Sequence, residues 1–224
     1  MEIKELKTFS SKVEKQTAFY NQLLGLEVIE SKNDSTSLRI GKSILKIEYK
    51  VNATPYHFAI NIPSNKILEA LGWLKGKAEI LRDGTNEIHN FDNWKAKSLY
   101  FYDEDRNIVE LIARQNLNIL SNCNFNSTLF IELSEIGLAT TNIKKEVRYL
   151  QSDVGLTIYD GGSERFCAVG SENGLFICVD KNKKKWFPTN DKAFSSSFEI
   201  TLIEKEKMHR IEYKNEFLKR ITNQ

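Results

Sequence analysis

One order of elements recurs along this chain: a strand, a helix, then three strands. That recurrence constrains the fold more than any single motif. In the first copy Ile3 to Phe9 alternates in polarity as a strand does, and Ser10-Ser11 offers a cap for a helix over about residues 12–24. Val13, Phe19, Tyr20, Leu23 and Leu24 fall on one side of that helix, and Gly25 suits its C-terminal cap. Strands over 26–30, 37–40 and 43–49 follow, parted by the Asn33-Asp34 and Gly41-Lys42 turns. After Pro55 the order returns, with a strand over 56–62, a helix carrying Ile67, Leu68, Leu71 and Leu74, and strands over 78–81, 97–103 and 108–113. A third copy starts near Ser134, with strand 135–140, helix 143–150 and strands 156–159, 166–169 and 175–179. Beyond Pro188 the pattern leaves room for one strand, 198–203, and a charged terminal segment.

A unit of this kind cannot bury both faces of its own sheet. Two of them side by side give a curved, mixed sheet with helices outside and a cup inside, so the expected class is α+β. Residues 1–115 are expected to form a complete two-module cup. The Asn-rich stretch 116–132 reads as a connector, and 133–224 as a third module plus a truncated fourth.

Charge and composition narrow the function. With 32 basic and 30 acidic residues the net charge is +2, which leaves no basic footprint for a nucleic acid. No apolar run approaches the ~18 residues of a membrane span, and the opening Met-Glu-Ile-Lys-Glu-Leu-Lys has no apolar signal region. Three cysteines without CxxC spacing speak against a disulfide framework or a zinc-thiolate site, and Cys167 and Cys178 read as small buried hydrophobes. The expected compartment is cytoplasmic. The basic run Lys181-Asn182-Lys183-Lys184-Lys185 reads as a solvated loop.

The stretch Phe19-Tyr20-Asn21-Gln22-Leu23-Leu24-Gly25-Leu26-Glu27-Val28 and the hairpin Leu99-Tyr100-Phe101-Tyr102-Asp103-Glu104-Asp105-Arg106-Asn107-Ile108-Val109-Glu110-Leu111 resemble the vicinal oxygen chelate superfamily, which groups glyoxalases, bleomycin-resistance proteins and extradiol dioxygenases. Glu104 stands where the family commonly has Pro and Arg106 where it has Gly, which opens the turn type, although Asn107 tolerates a left-handed backbone. The resemblance covers most of 1–115. Over 133–180 it rests on the repeat order and on Asp153-Val154-Gly155-Leu156.

The resemblance implies a divalent metal (Zn, Mn, Ni or Fe) at the floor of the cup, held by residues of the first and last strands of each module. By position these are Glu5, Lys46 (with Glu48 two residues on), His57 and Glu110. The implied metal set is His57, Glu110 and Glu5, with Glu5 and Glu110 also candidates for catalytic base. A protonated Lys46 cannot ligate; its ammonium would pair with Glu110 or Glu5 and meet substrate. Asn61 shares the His57 side of its strand, and Trp94, Tyr100 and Tyr102 are candidates, with Phe9, Tyr56 and Trp73, for an aromatic substrate wall. His89 reads as a surface or lid histidine and His209 as solvent-facing, so the two-histidine iron site of a ring-cleaving dioxygenase is not expected. Glu135 occupies the ligand-equivalent place of the third module, but the small residues Gly137 and Ala139 beside it read as a packing face. Trp186-Phe187-Pro188-Thr189 reads as packing the degenerate module against the cup or its lid. Two functions stay open, a metal-dependent lyase or isomerase on a small oxygenated molecule, and a metal-free small-molecule binding protein with the same cup. A monomer and a homodimer are both compatible with it.

Overall fold

Alternating polarity and short turns do produce the repeated module, but the modules pair in an unexpected order. The computed structural model describes residues 1–222. Module one contains β1 (Glu2–Ser10), α1 (Val13–Ala18, continued by a π-helical turn to Leu23), β2 (Val28–Lys32), β3 (Ser35–Ile40) and β4 (Ser43–Tyr49). Module two contains β5 (His57–Ile62), α2 (Ile67–Leu74), β6 (Ile80–Leu81), β7 (His89–Phe91), β8 (Ala96–Tyr102) and β9 (Ile108–Arg114). The third has β10 (Glu132–Thr140), α3 (Ile143–Tyr149), β11 (Ile158–Gly162), β12 (Phe166–Ser171) and β13 (Gly174–Asp180). The fourth is a meander of β14 (Phe198–Glu204), β15 (Lys207–Lys214) and β16 (Phe217–Arg220), so the charged terminal segment forms two more strands than expected.

A seven-stranded sheet runs β16-β15-β14-β1-β4-β3-β2, and a second sheet runs β11-β12-β13-β10-β5-β9-β8-β6, with β7 paired to β8. Modules one and four therefore share one sheet, and modules two and three share the other. This corrects the expectation that residues 1–115 close a cup of their own. The free edge of β1 is taken by β14, with Leu6 opposite Ile200, and that of β5 by β10, with Phe58 opposite Ile136. The connector is tied in by Phe125 and Phe130, whose rings lie 5.5 and 6.0 Å from that of Trp73.

One core joins the two sheets and the helices: Leu6, Leu45 and Ile200 of the first sheet meet Phe58, Leu111 and Phe176 of the second. The opposite side of the nine-stranded sheet carries a separate apolar lining that includes Tyr100, Ile108, Ile177, Val179 and Trp186. That side is the cup. In the β8–β9 turn the left-handed residue is Arg106 (φ 61°), at the place where the family pattern has Gly, and its guanidinium lies 3.8 Å from the Tyr102 ring centre. Among the described residues no helix is long and apolar enough to cross a membrane.

Candidate metal centre and substrate cup

Sheet register assembles the centre. Glu110 on β9 and Glu135 on β10 both lie opposite Ala59 of β5, so the two carboxylates flank a methyl group on the cup side. His57 precedes Ala59 by two residues and points the same way. Glu135 reaches this row through a bulge: Glu132 opposes Asn61, Glu135 opposes Ala59, and Ser134 between them is the extra residue.

The donor atoms of His57, Glu110 and Glu135 lie within 4.8 Å of one another, and all three side chains are buried. His57 Nδ1 lies 3.1 Å from the Ile108 carbonyl oxygen. A carbonyl only accepts, so Nδ1 carries the hydrogen and the Nε2 lone pair of a neutral ring faces the carboxylates. Burial lowers the His57 pKa to about 4 and thereby keeps the ring neutral. Nε2 is 3.6 Å from Glu110 Oε2 and 3.9 Å from Glu135 Oε2, too far for a hydrogen bond. Donors that share an ion through bonds of ~2.0–2.2 Å sit roughly 3.0–3.5 Å apart, close to these separations.

Electrostatics point the same way. Burial, then the Glu135 charge, raises the Glu110 pKa to about 8. Burial also raises that of Glu135, against the pull of the Arg114 guanidinium, which ion-pairs with it. Arg114 is fully buried; its Nε donates to Asn61 Oδ1 at 3.3 Å, and its guanidinium carbon lies 5.5 Å from the centre of the Trp94 ring. Two carboxylates and one neutral imidazole thus face each other, with the one cation, Arg114, beside Glu135, and a divalent ion would relieve both carboxylates of their burial penalty. The residues fit such an ion.

Around the centre lies a cavity of about 360 Å³ walled by Phe91, Trp94, Tyr100, Phe166, Trp186 and Phe187. The Trp186 ring lies 5.0 Å from His57, and Phe187 lies 5.6 Å from Tyr100 and 4.8 Å from His89. Trp186 fits because position 137 is glycine: a Cβ there would stand 2.7 Å from Trp186 Cη2. The packing face read at Gly137 and Ala139 is thus the seat of Trp186, while Glu135 on the same strand points into the centre.

The other anticipated residues separate clearly. Glu5 lies on β1 opposite Ile44 and Thr201, and Lys46 on β4 opposite Lys7 and Ser37, both in the other sheet. Neither belongs to the His57 cluster, because module one pairs with module four. Trp94 and Tyr100 line the cavity, and Trp94 Nε1–H donates to Asp160 Oδ2 at 2.6 Å. Tyr102 instead donates to the Asp191 carboxylate. Asn61 supports Arg114 and donates to the Glu172 carbonyl at 3.0 Å. His89 is buried behind Tyr100, with ring centres 5.5 Å apart. Lys184, read as part of a solvated run, lines the cup. Its turn after β13 could have been noticed in the sequence, but its direction could not.

No protein-family model matches the chain, and no curated protein matches it. Solved structures do. A Bacillus subtilis chain with a provisional dioxygenase name is similar over 80% of this chain and 63% of its own length, at 14% identity and a TM-score of 0.58. This chain therefore spans less than two thirds of that protein. A glyoxalase I variant from Zea mays is similar over 79% of this chain and 66% of its own, at 12% identity and a TM-score of 0.53. Two curved mixed sheets, repeated modules and these neighbours together give the chain the fold of the vicinal oxygen chelate superfamily.

Proposed function

We propose that this protein is a metal-dependent lyase or isomerase that acts on a small oxygenated molecule in the cup of its nine-stranded sheet. The observation that carries this reading is the His57 Nε2 lone pair facing two buried carboxylates at 3.6 and 3.9 Å, with no hydrogen bond to either. A metal-free network would close those gaps to about 2.7–3.0 Å. His57, Glu110 and Glu135 would hold the metal, which in such a site supplies Lewis acidity toward a carbonyl or hydroxyl oxygen.

The chain's own groups do the rest. Tyr100 lies opposite Glu110 in the β8–β9 register. Burial, and then the Glu110 and Glu135 charges, push its phenol well above the ordinary range, so it keeps its proton and directs it to the Glu110 carboxylate. Arg114 fixes Glu135 in place and leaves Glu110 as the carboxylate better able to hold or release a proton. Trp94, Phe166, Trp186 and Phe187 exclude water from the ring of donors. One imidazole with two carboxylates differs from the two-histidine, one-carboxylate set of non-haem iron oxygenases, which favours isomerase or lyase chemistry over ring cleavage.

Elemental analysis of protein purified without chelator tests this. The expected result is near-stoichiometric divalent metal, lost in His57→Ala, Glu110→Gln and Glu135→Gln and retained in Glu5→Gln. No metal in the wild type, together with no thermal shift on adding Mn, Zn, Ni or anaerobic Fe(II), would sink the reading.

A further inference from the structure

The four lysines between residues 181 and 185 do not share one fate. Lys181 pairs with Glu216, and Lys183 with Asp180 Oδ2 at 3.2 Å. Lys185 is exposed. Lys184 follows the turn in which its own N–H and that of Lys183 donate to the Asp180 carbonyl, and this turn carries it back over the cup. Its Nζ stands 4.0 Å from the centre of the Phe166 ring.

This ammonium is half-buried, and among the described residues it has no carboxylate partner. The carboxylates nearby are engaged elsewhere: Asp160 accepts from Trp94 Nε1 and from the Gly161 N–H, and Glu135 is held by Arg114. Burial and then the Arg165 charge both disfavour the Lys184 cation, and no anion among the described residues offsets them. The cup therefore presents aromatic walls, a donor cluster at its floor, and a Lys184 ammonium without an anionic partner. A partly desolvated cation without a partner is costly, and a ligand that brings one negative charge removes that cost.

On the reading that the cup is the substrate site, we propose that its ligand is a planar aromatic carboxylate, whose ring lies among Trp94, Phe166 and Trp186 and whose carboxylate group pairs with Lys184. Lys184 would thus set specificity in the same cavity as the His57 cluster without belonging to it.

Titration of the protein with benzoate and benzamide, followed by tryptophan fluorescence and calorimetry, tests this with and without Mn(II). Benzamide keeps the ring and loses the charge. Benzoate is expected to bind wild type more tightly than benzamide. Lys184→Met is expected to weaken benzoate binding about 10- to 100-fold, the range of one charge-assisted hydrogen bond, and to leave benzamide unchanged. Lys184→Arg should retain most of the benzoate affinity, and the unchanged benzamide binding shows that Lys184→Met keeps its cup. Benzoate binding that ignores Lys184→Met, or that merely equals benzamide binding, overturns the proposal. So does benzoate binding that appears only with Mn(II) and ignores Lys184→Met, a result that would leave the metal reading standing. Lys184-dependent benzoate binding in a protein that takes up no metal would support the proposal while the metal reading fails.

Discussion

Glu110 and His57 titrate in opposite senses, which gives the centre a signature in solution. An unfolded glutamate releases its proton near 4.5, whereas Glu110 in the fold holds its proton to about 8. Between those values the folded state binds the extra proton, so this group costs stability progressively as pH rises. His57 acts the other way: unfolded it takes a proton near 6.5, folded only near 4, so it costs stability as pH falls below 6.5. From pH 6.5 to 8 only the carboxylate contributes of the two. The chelated protein is therefore expected to lose thermal stability over that window, and Glu110→Gln to flatten the slope; denaturation midpoints at pH 6.5 and 8 check this, and an equal slope in both proteins would refute it. These two residues were legible in the sequence through the resemblance, which sets them both at ligand positions. Glu135 was half legible. Its position was noted, but Gly137 and Ala139 beside it signalled packing, and only the fold shows that the small residues receive Trp186 while Glu135 turns inward. Lys184 was not legible, because a run of lysines is ordinarily solvated and only a turn decides which of them is not.

The strand β10 shows how one element serves the centre and its roof at once. Its bulge at Ser134 brings Glu135 into the row of Glu110, and its Gly137 admits the Trp186 ring above His57. Gly137→Ala would put a methyl 2.7 Å from Trp186 Cη2, and the far side of that position is closed by the His57 carbonyl at 3.1 Å. The expected cost is ~1–3 kcal/mol, with a shift in tryptophan emission as the ring is displaced. Thermal denaturation and fluorescence of the variant check both, and an unchanged melt and spectrum would show that the ring yields freely. The bulge left no mark in the local pattern, since Glu132 and Glu135 are both acidic and strand alternation alone cannot place them on one side. β15 escaped for a different reason. Its buried Ile211 and Tyr213 alternate as a strand should, but charges dominate the segment around them.

Pairing between modules was the part that sequence could not reach. Each module announces itself through local periodicity, yet nothing local says that β1 takes β14 rather than a strand of module two. The mistaken places of Glu5 and Lys46 follow from that one error. A fragment of residues 1–115 would expose the edges of β1 and β5 and lose the third carboxylate. It is expected to show no cooperative thermal transition by circular dichroism, and a sharp two-state melt would contradict the pairing described here. The nested order also divides the chain's duties. All three centre residues and the cavity walls belong to modules two and three or to the segment that follows them, whereas modules one and four contribute core and a half-exposed outer side on which Lys7 pairs with Glu48 and Glu199. Tolerance to mutation should accordingly form three bands along the sequence: permissive outer sheet positions at either end, where one charge can replace another, and a stringent interior stretch from His57 to Phe187.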